Sequence, residues 1–190
     1  MFIQTEETPN PRTLKFLPGK TVLKNGTATF VDEEMAKESP LAEVLFKIEH
    51  VENVFFGSDF ITVTKHETAD WALLKPAILT TIMDHFVTGK PILKGQERVT
   101  KTDTANADDT PIVKEIKELI DTRVRPAVAE DGGDIVFDSF EDGIVKLELY
   151  GACSGCPSST VTLKDGIENM LKHYIPEVER VEAVNGETHV

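Results

Sequence analysis

The sequence predicts an α+β chain of two small domains joined by a flexible linker. Three observations carry that prediction. Short stretches rich in β-branched and aromatic residues, bounded by glycine, proline and asparagine, alternate with longer stretches whose apolar residues recur every three or four positions. Between Gly89 and Thr110 this patterning stops: Gly89, Pro91 and Gly95 interrupt regular structure, and residues 100–110 are polar and almost free of bulky apolar groups. The chain has 190 residues, enough for two small cores, and its 40% hydrophobic content supports packed domains rather than disorder. The boundaries read from this are 1–88 for the first domain, 89–110 for the linker and 111–190 for the second.

In the first domain, residues 2–5 read as a short strand, and Pro9 and Pro11 break the regular structure after it. Residues 14–17 read as a strand closed by the turn pair Pro18-Gly19. A second turn at Asn25-Gly26 precedes the β-branched and aromatic run 27–31. Ser39 has the chemistry of an N-cap and Pro40 suits the first helical position, so a helix starts there with Leu41, Val44, Leu45 and Ile48 on one face. Residues 51–56 and 60–64 form a hairpin about Gly57-Ser58-Asp59. Asp70 caps a final helix whose apolar stripe is Trp71, Leu74, Ile78, Ile82 and Phe86, with a kink or later start at Pro76. That stripe is core rather than a cofactor box.

In the second domain, Pro111 opens a helix with Ile112, Ile116, Leu119 and Ile120 facing inward, kinked or broken at Pro126. Asp131-Gly-Gly-Asp134 reads as a turn rather than an acid pair. Strands 135–140 and 144–149 are joined by a hairpin of about three residues at Glu141-Asp142-Gly143. A loop from Gly151 to Gly155 leads into a helix starting at Pro157 or Ser158, with Val161, Leu163, Ile167, Met170 and Leu171 as its apolar set. A short strand at 178–184 ends the domain. The order α-β-β-α-β cannot build a doubly wound sheet.

Asp and Glu number 33 against 20 Lys and Arg, a net charge of −13, and no segment is net basic. A general nucleic-acid binder is therefore not expected. No apolar run approaches the roughly 18–20 residues of a membrane helix, and the first residues lack the basic and apolar regions of a secretory signal. Two close cysteines do not make a secreted disulfide framework, so a reducing compartment is expected.

Both cysteines lie in Gly151-Ala-Cys-Ser-Gly-Cys-Pro-Ser-Ser159, three positions apart. Two thiolates at that spacing can grip one soft metal centre or form one disulfide, but they cannot fill a four-thiolate site alone. Cys156 is placed near a helix N-terminus, whose free N–H groups stabilise a thiolate or an anionic cluster. Gly151 and Gly155 allow close backbone approach and Pro157 starts the helix, so the loop is expected to present both thiols outward. The pair is compatible with two buried, inert small residues, against which the surrounding glycines and proline argue, with a thiol–disulfide oxidoreductase, with a zinc-bridged structural dimer, or with a cluster site completed by a second copy of the chain. The histidines His50, His66, His85, His173 and His189 show no metal-ligand spacing and read as surface or packing residues. No phosphate loop, nucleophile elbow or zinc-protease helix is present, so substrate turnover is not expected.

Arg125-Pro126, Asp131-Gly-Gly-Asp134 and Gly151-Ala-Cys-Ser-Gly-Cys-Pro-Ser-Ser-Thr160 together resemble the C-terminal domain of NifU-like proteins, the Nfu family. Thr8-Pro-Asn-Pro-Arg-Thr-Leu-Lys-Phe16, Ser39-Pro-Leu-Ala42, Val54-Phe-Phe-Gly57 and Asp59-Phe-Ile-Thr-Val-Thr-Lys65 resemble that family's N-terminal domain. The resemblance covers nearly the whole chain outside the linker. It implies an iron–sulfur cluster scaffold or carrier, not an enzyme, with Cys153 and Cys156 ligating a [4Fe–4S] cluster that bridges two subunits of a homodimer. The implied partners are apo iron–sulfur client proteins and upstream cluster assembly proteins. With no cysteine, the N-terminal domain is expected to dock clients. The absence of a transit-like leader favours a bacterial cytoplasmic protein, with the mitochondrial matrix as the place of a trimmed eukaryotic chain. One departure from the family pattern is His50, where glycine is expected before the strand.

Overall fold

The computed structural model describes residues 2–95, 109–154 and 157–184, and the chain divides into two units, Met1–Thr100 and Lys101–Val190. In the first unit, strands β1 (Gln4–Glu7), β2 (Thr13–Leu17), β3 (Ala28–Phe30), β4 (Val51–Phe56) and β5 (Ile61–Lys65) form an antiparallel sheet in the order β1-β2-β5-β4-β3. Helices α1 (Glu33–Ala36), α2 (Pro40–Phe46) and α3 (Trp71–Thr88) complete it. Phe16, Val54, Phe56, Ile61 and Val63 from the sheet bury against Leu41, Leu45, Leu74, Ile78 and Ile82 from the helices. The hydrophobic effect on this one face holds the unit together.

Caps and turns fall where local chemistry places them. The Ser39 hydroxyl accepts from Ala42 N–H at 3.1 Å and starts α2; Asp70 accepts from Ala72 N–H at 2.9 Å and starts α3. Helix α3 runs through Pro76 instead of starting after it, because Leu74 on one side and Ile78 and Ile82 on the other are all seated in the core. Three details differ from expectation. The first strand starts at Gln4 because Phe2 faces solvent. Val44 is exposed on the short α2, whose buried side is Leu41, Ala42 and Leu45. Helix α1 adds to the expected elements: Asp32 caps it, accepting from Met35 N–H at 2.7 Å. After α3, Ile92 and Leu93 pack against this core, and Lys94 donates to Glu38 O at 2.6 Å and to Glu43 at 2.7 Å. Thus residues 92–94 of the expected linker lie against the first unit, and residues 96–108 fall outside the described residues.

His50 has φ 71, in the left-handed region where a side chain strains the backbone. The glycine expected there has a physical basis. His50→Gly is expected to raise the unit's stability by about 0.5–1 kcal/mol, the relieved strain being partly offset by a more flexible unfolded chain. Urea denaturation checks this, and a fall in stability would mean that the contacts of the His50 ring outweigh the strain.

In the second unit, α4 (Pro111–Leu119) leads through a π-helical turn at Ile120–Val124 into α5 (Arg125–Glu130). In that wide turn the Arg125 N–H reaches the Ile120 carbonyl five residues back, so the helix passes Pro126 without breaking. Ile116, Ile120, Val124 and Val128 stay on one buried face throughout. Strands β6 (Gly133–Glu141) and β7 (Ile144–Gly151) form an antiparallel hairpin, then α6 (Pro157–Tyr174) crosses to β8 (Arg180–Val184), which lies parallel to β7. The α-β-β-α-β order is as expected. The hairpin turn is tighter than expected: Glu141 pairs with Ile144, and Asp142 and Gly143 take φ 50 and 76, a two-residue turn with both residues left-handed. Val161 is exposed rather than core; Ile167 and Leu171 carry the buried side of α6. Among the described residues, no helix is long and apolar enough to cross a membrane.

Candidate metal centre

The CxxC turn grows out of the end of β7. Gly151, with φ 64, turns the chain off the strand. The Ala152 N–H then donates to Gly132 O at 3.1 Å, joining this turn to the one between α5 and β6. The Ser154 N–H and hydroxyl donate to Gly151 O at 3.2 and 2.8 Å. From the first turns of α6, the Thr160 hydroxyl donates to the Cys153 carbonyl at 3.2 Å. Two of these bonds close the turn on itself, and the other two tie it to the α5–β6 connection and to α6.

Cys153 is not in a disulfide and is only 6% exposed. It belongs to the core of the second unit, in one buried cluster with Ile135, Leu149 and Ile167. Its sulfur fits because Gly133, on the neighbouring strand, has no side chain: a Cβ there would stand 2.6 Å from Cys153 Sγ and 2.8 Å from the Tyr150 carbonyl. Burial pushes the thiol up to about 12, and the Asp131 and Asp134 carboxylates push the same way. This corrects the expectation of an outward-presented sulfur at Cys153. Glycines near a cysteine suggest exposure in the sequence, whereas Gly133 makes the pocket that buries it. Cys156 lies outside the described residues.

Asp134, expected in a turn, is the second residue of β6 and 4% exposed. Both its oxygens accept from Arg125, Nε at 2.9 Å and Nη2 at 2.9 Å, and Oδ1 also accepts from Ile135 N–H at 2.8 Å. Arg125 Nη1 donates to Asp121 at 3.1 Å. Burial disfavours the Arg125 charge, but the bonds to Asp134 and Asp121 outweigh it and hold the guanidinium above its ordinary range. Nearby, the Tyr150 hydroxyl donates to Glu148; burial, then that carboxylate, raise its pKa. The residue types of this support are visible in the sequence. Their pairing is not, because Arg125 and Asp134 meet only once α5 folds onto β6.

Among the described residues, no group of three or more His, Cys, Asp or Glu is placed to hold a metal ion. His50 and His66 sit at the surface with ring centroids 6.3 Å apart, and His173 packs edge-on against Tyr174. His85 is buried in the first unit, where burial and then Lys90 lower its pKa. His189 lies outside the described residues. The candidate ligands that remain are the two cysteines of the sequence, of which the described residues include Cys153. Thiolates are suitable donors for iron or zinc, but two fall short of a four-thiolate centre.

A family model described as scaffold protein Nfu/NifU N terminal matches residues 3–89, and one described as NifU-like domain matches residues 116–182. A human protein named NFU1 iron-sulfur cluster scaffold homolog, mitochondrial, is 56% identical over 185 residues, covering 97% of this chain and 72% of that one. This chain belongs to the Nfu family of iron–sulfur cluster scaffold proteins. A protein of the same name from Drosophila willistoni is 56% identical, and the present chain spans 64% of its length. The solution structure of a NifU-like protein from Saccharomyces cerevisiae aligns with 50% of this chain and 87% of its own, at 27% identity and a TM-score of 0.46. Nothing in these matches supports the oxidoreductase alternative for this Nfu chain.

Proposed function

We propose that this Nfu chain holds a [4Fe–4S] cluster between two copies of itself, through Cys153 and Cys156 of each, and passes it to apo-proteins. The observation that carries the reading is the donor count: the chain has two cysteines, the cluster takes four thiolates, and a two-fold dimer supplies them. The cluster is cargo and no substrate is turned over. Binding requires Cys153 to lose its proton, and a thiol held near 12 resists that loss. Release runs in the opposite sense. An incoming client thiolate takes over the iron, and Cys153 regains a proton and its buried place. With two ligands per copy, release is stepwise.

The N-terminal unit, which has no cysteine, serves in this reading as the docking module for clients and upstream assembly proteins. The polar stretch within 89–110 tethers it and raises the local concentration of a docked client. The mitochondrial names of the relatives favour the mitochondrial matrix over the bacterial cytoplasm expected from the sequence.

Anaerobic reconstitution with iron and sulfide, followed by metal analysis and sizing, tests the reading. About two irons and two sulfides per chain in a brown dimer is the expected result. A colourless monomer with a reversible Cys153–Cys156 disulfide would make the chain a thiol-redox protein. A zinc-loaded dimer without sulfide would make it a structural dimer.

A further inference from the structure

We infer that the apo-chain sheathes Cys153: the turn from Gly151 to Ser154 holds its sulfur in the core, and this turn must open before a cluster is taken up. The inference rests on Cys153 being a cluster ligand, as proposed above, but its physical basis is independent of any cluster. A sulfur bridging to iron shared with a second chain must point away from its own core. Here the Cys153 side chain packs among the core residues, and Gly133 leaves it a place that even one added methyl group would fill. The described conformation is therefore a closed one, unable to share a cluster.

The closed turn has a built clasp. Ala152 N–H to Gly132 O ties it to the α5–β6 connection, and the Thr160 hydroxyl ties the Cys153 carbonyl to α6. Ala152 is itself buried, so opening must undo a packed contact as well as hydrogen bonds. Gly151, left-handed at the end of β7, is the natural pivot, since glycine crosses between backbone regions without a side-chain penalty. Opening is thus a local event of low population, of the kind that amide and thiol protection report. A chain without cargo thereby keeps one of its two thiols from oxidants. Cluster uptake also becomes limited by opening, so its rate levels off as donor concentration rises.

Thiol labelling of the full chain tests this without any iron. In Cys156→Ser, Cys153 is the sole thiol, and its alkylation by iodoacetamide is followed by mass under native conditions and in denaturant at the same pH. Native labelling at least about tenfold slower is expected. Thr160→Val, which removes one bond of the clasp, is expected to speed native labelling several-fold with little change in the circular dichroism melt. Gly133→Ala, which fills the sulfur's place, is expected to speed it further. Native labelling as fast as in denaturant, in a chain that circular dichroism shows to be folded, overturns the sheath. Protection that neither Thr160→Val nor Gly133→Ala relieves overturns the turn as its gate. A chain that protects Cys153 yet takes up no cluster would count against the cargo reading alone; unprotected Cys153 in a chain that does load would count against the sheath alone.

Discussion

Alanine at Cys153 or at Cys156 is expected to abolish stable cluster retention while the fold survives. In the proposed bridged dimer, either substitution leaves two thiolates where a four-thiolate cluster needs four. At Cys153 the fold also loses a buried sulfur from the core of the second unit, worth about 1 kcal/mol by comparison with other small core truncations. That is a modest part of a domain's stability, so loss of cluster at Cys153→Ala should not be loss of structure. Iron content after desalting, read beside a circular dichroism melt, separates the two. A full cluster retained by the Cys153→Ala protein would remove Cys153 from the ligand set and, with it, the bridged arrangement.

Arg125→Gln is expected to produce the largest stability loss in the second unit. The Arg125 side chain is 17% exposed and that of Asp134 6%, so their paired bonds are formed largely away from water. Removing the guanidinium leaves a buried carboxylate without its counter-charge, a situation that costs about 3–5 kcal/mol when complete. Partial exposure of Arg125 and one hydrogen bond from glutamine reduce this to about 2–4 kcal/mol. Asp134 follows Gly133, where the Cys153 sulfur packs, so the yield of loaded protein should fall as well. Guanidinium unfolding measures the loss. Adding Asp134→Asn to Arg125→Gln should recover part of it, because the orphaned charge is gone; simple addition of two losses would show that the pair is not coupled.

The features legible along the chain are local. Ser39 and Asp70 are helix caps because their side chains reach N–H groups two or three residues on, and such signals are written in consecutive residues. The strand alternation in residues 144–149 appears directly as Val145, Leu147 and Leu149 buried between less buried neighbours. Even the departure at His50 is legible, since the expected glycine answers to a left-handed backbone. The differences at Val44 and Val161 have one cause. A helical period places residues on a side, but the width of the buried stripe depends on what packs against it.

The candidate site divides in the same way. By itself the sequence determined an α+β chain, two cysteines three positions apart, and a donor count that falls short of a four-thiolate centre. Only the tertiary structure decided that Arg125 pairs with Asp134, that β8 lies parallel to β7, and that Cys153 is buried against Gly133 rather than held out to solvent. The physical reason is range. Caps, turns and periodicity arise from neighbours within a few residues, whereas burial and ion pairing are set by atoms brought together from separate elements. The state of the Cys153 sulfur is therefore a property of β6, β7 and α6 together.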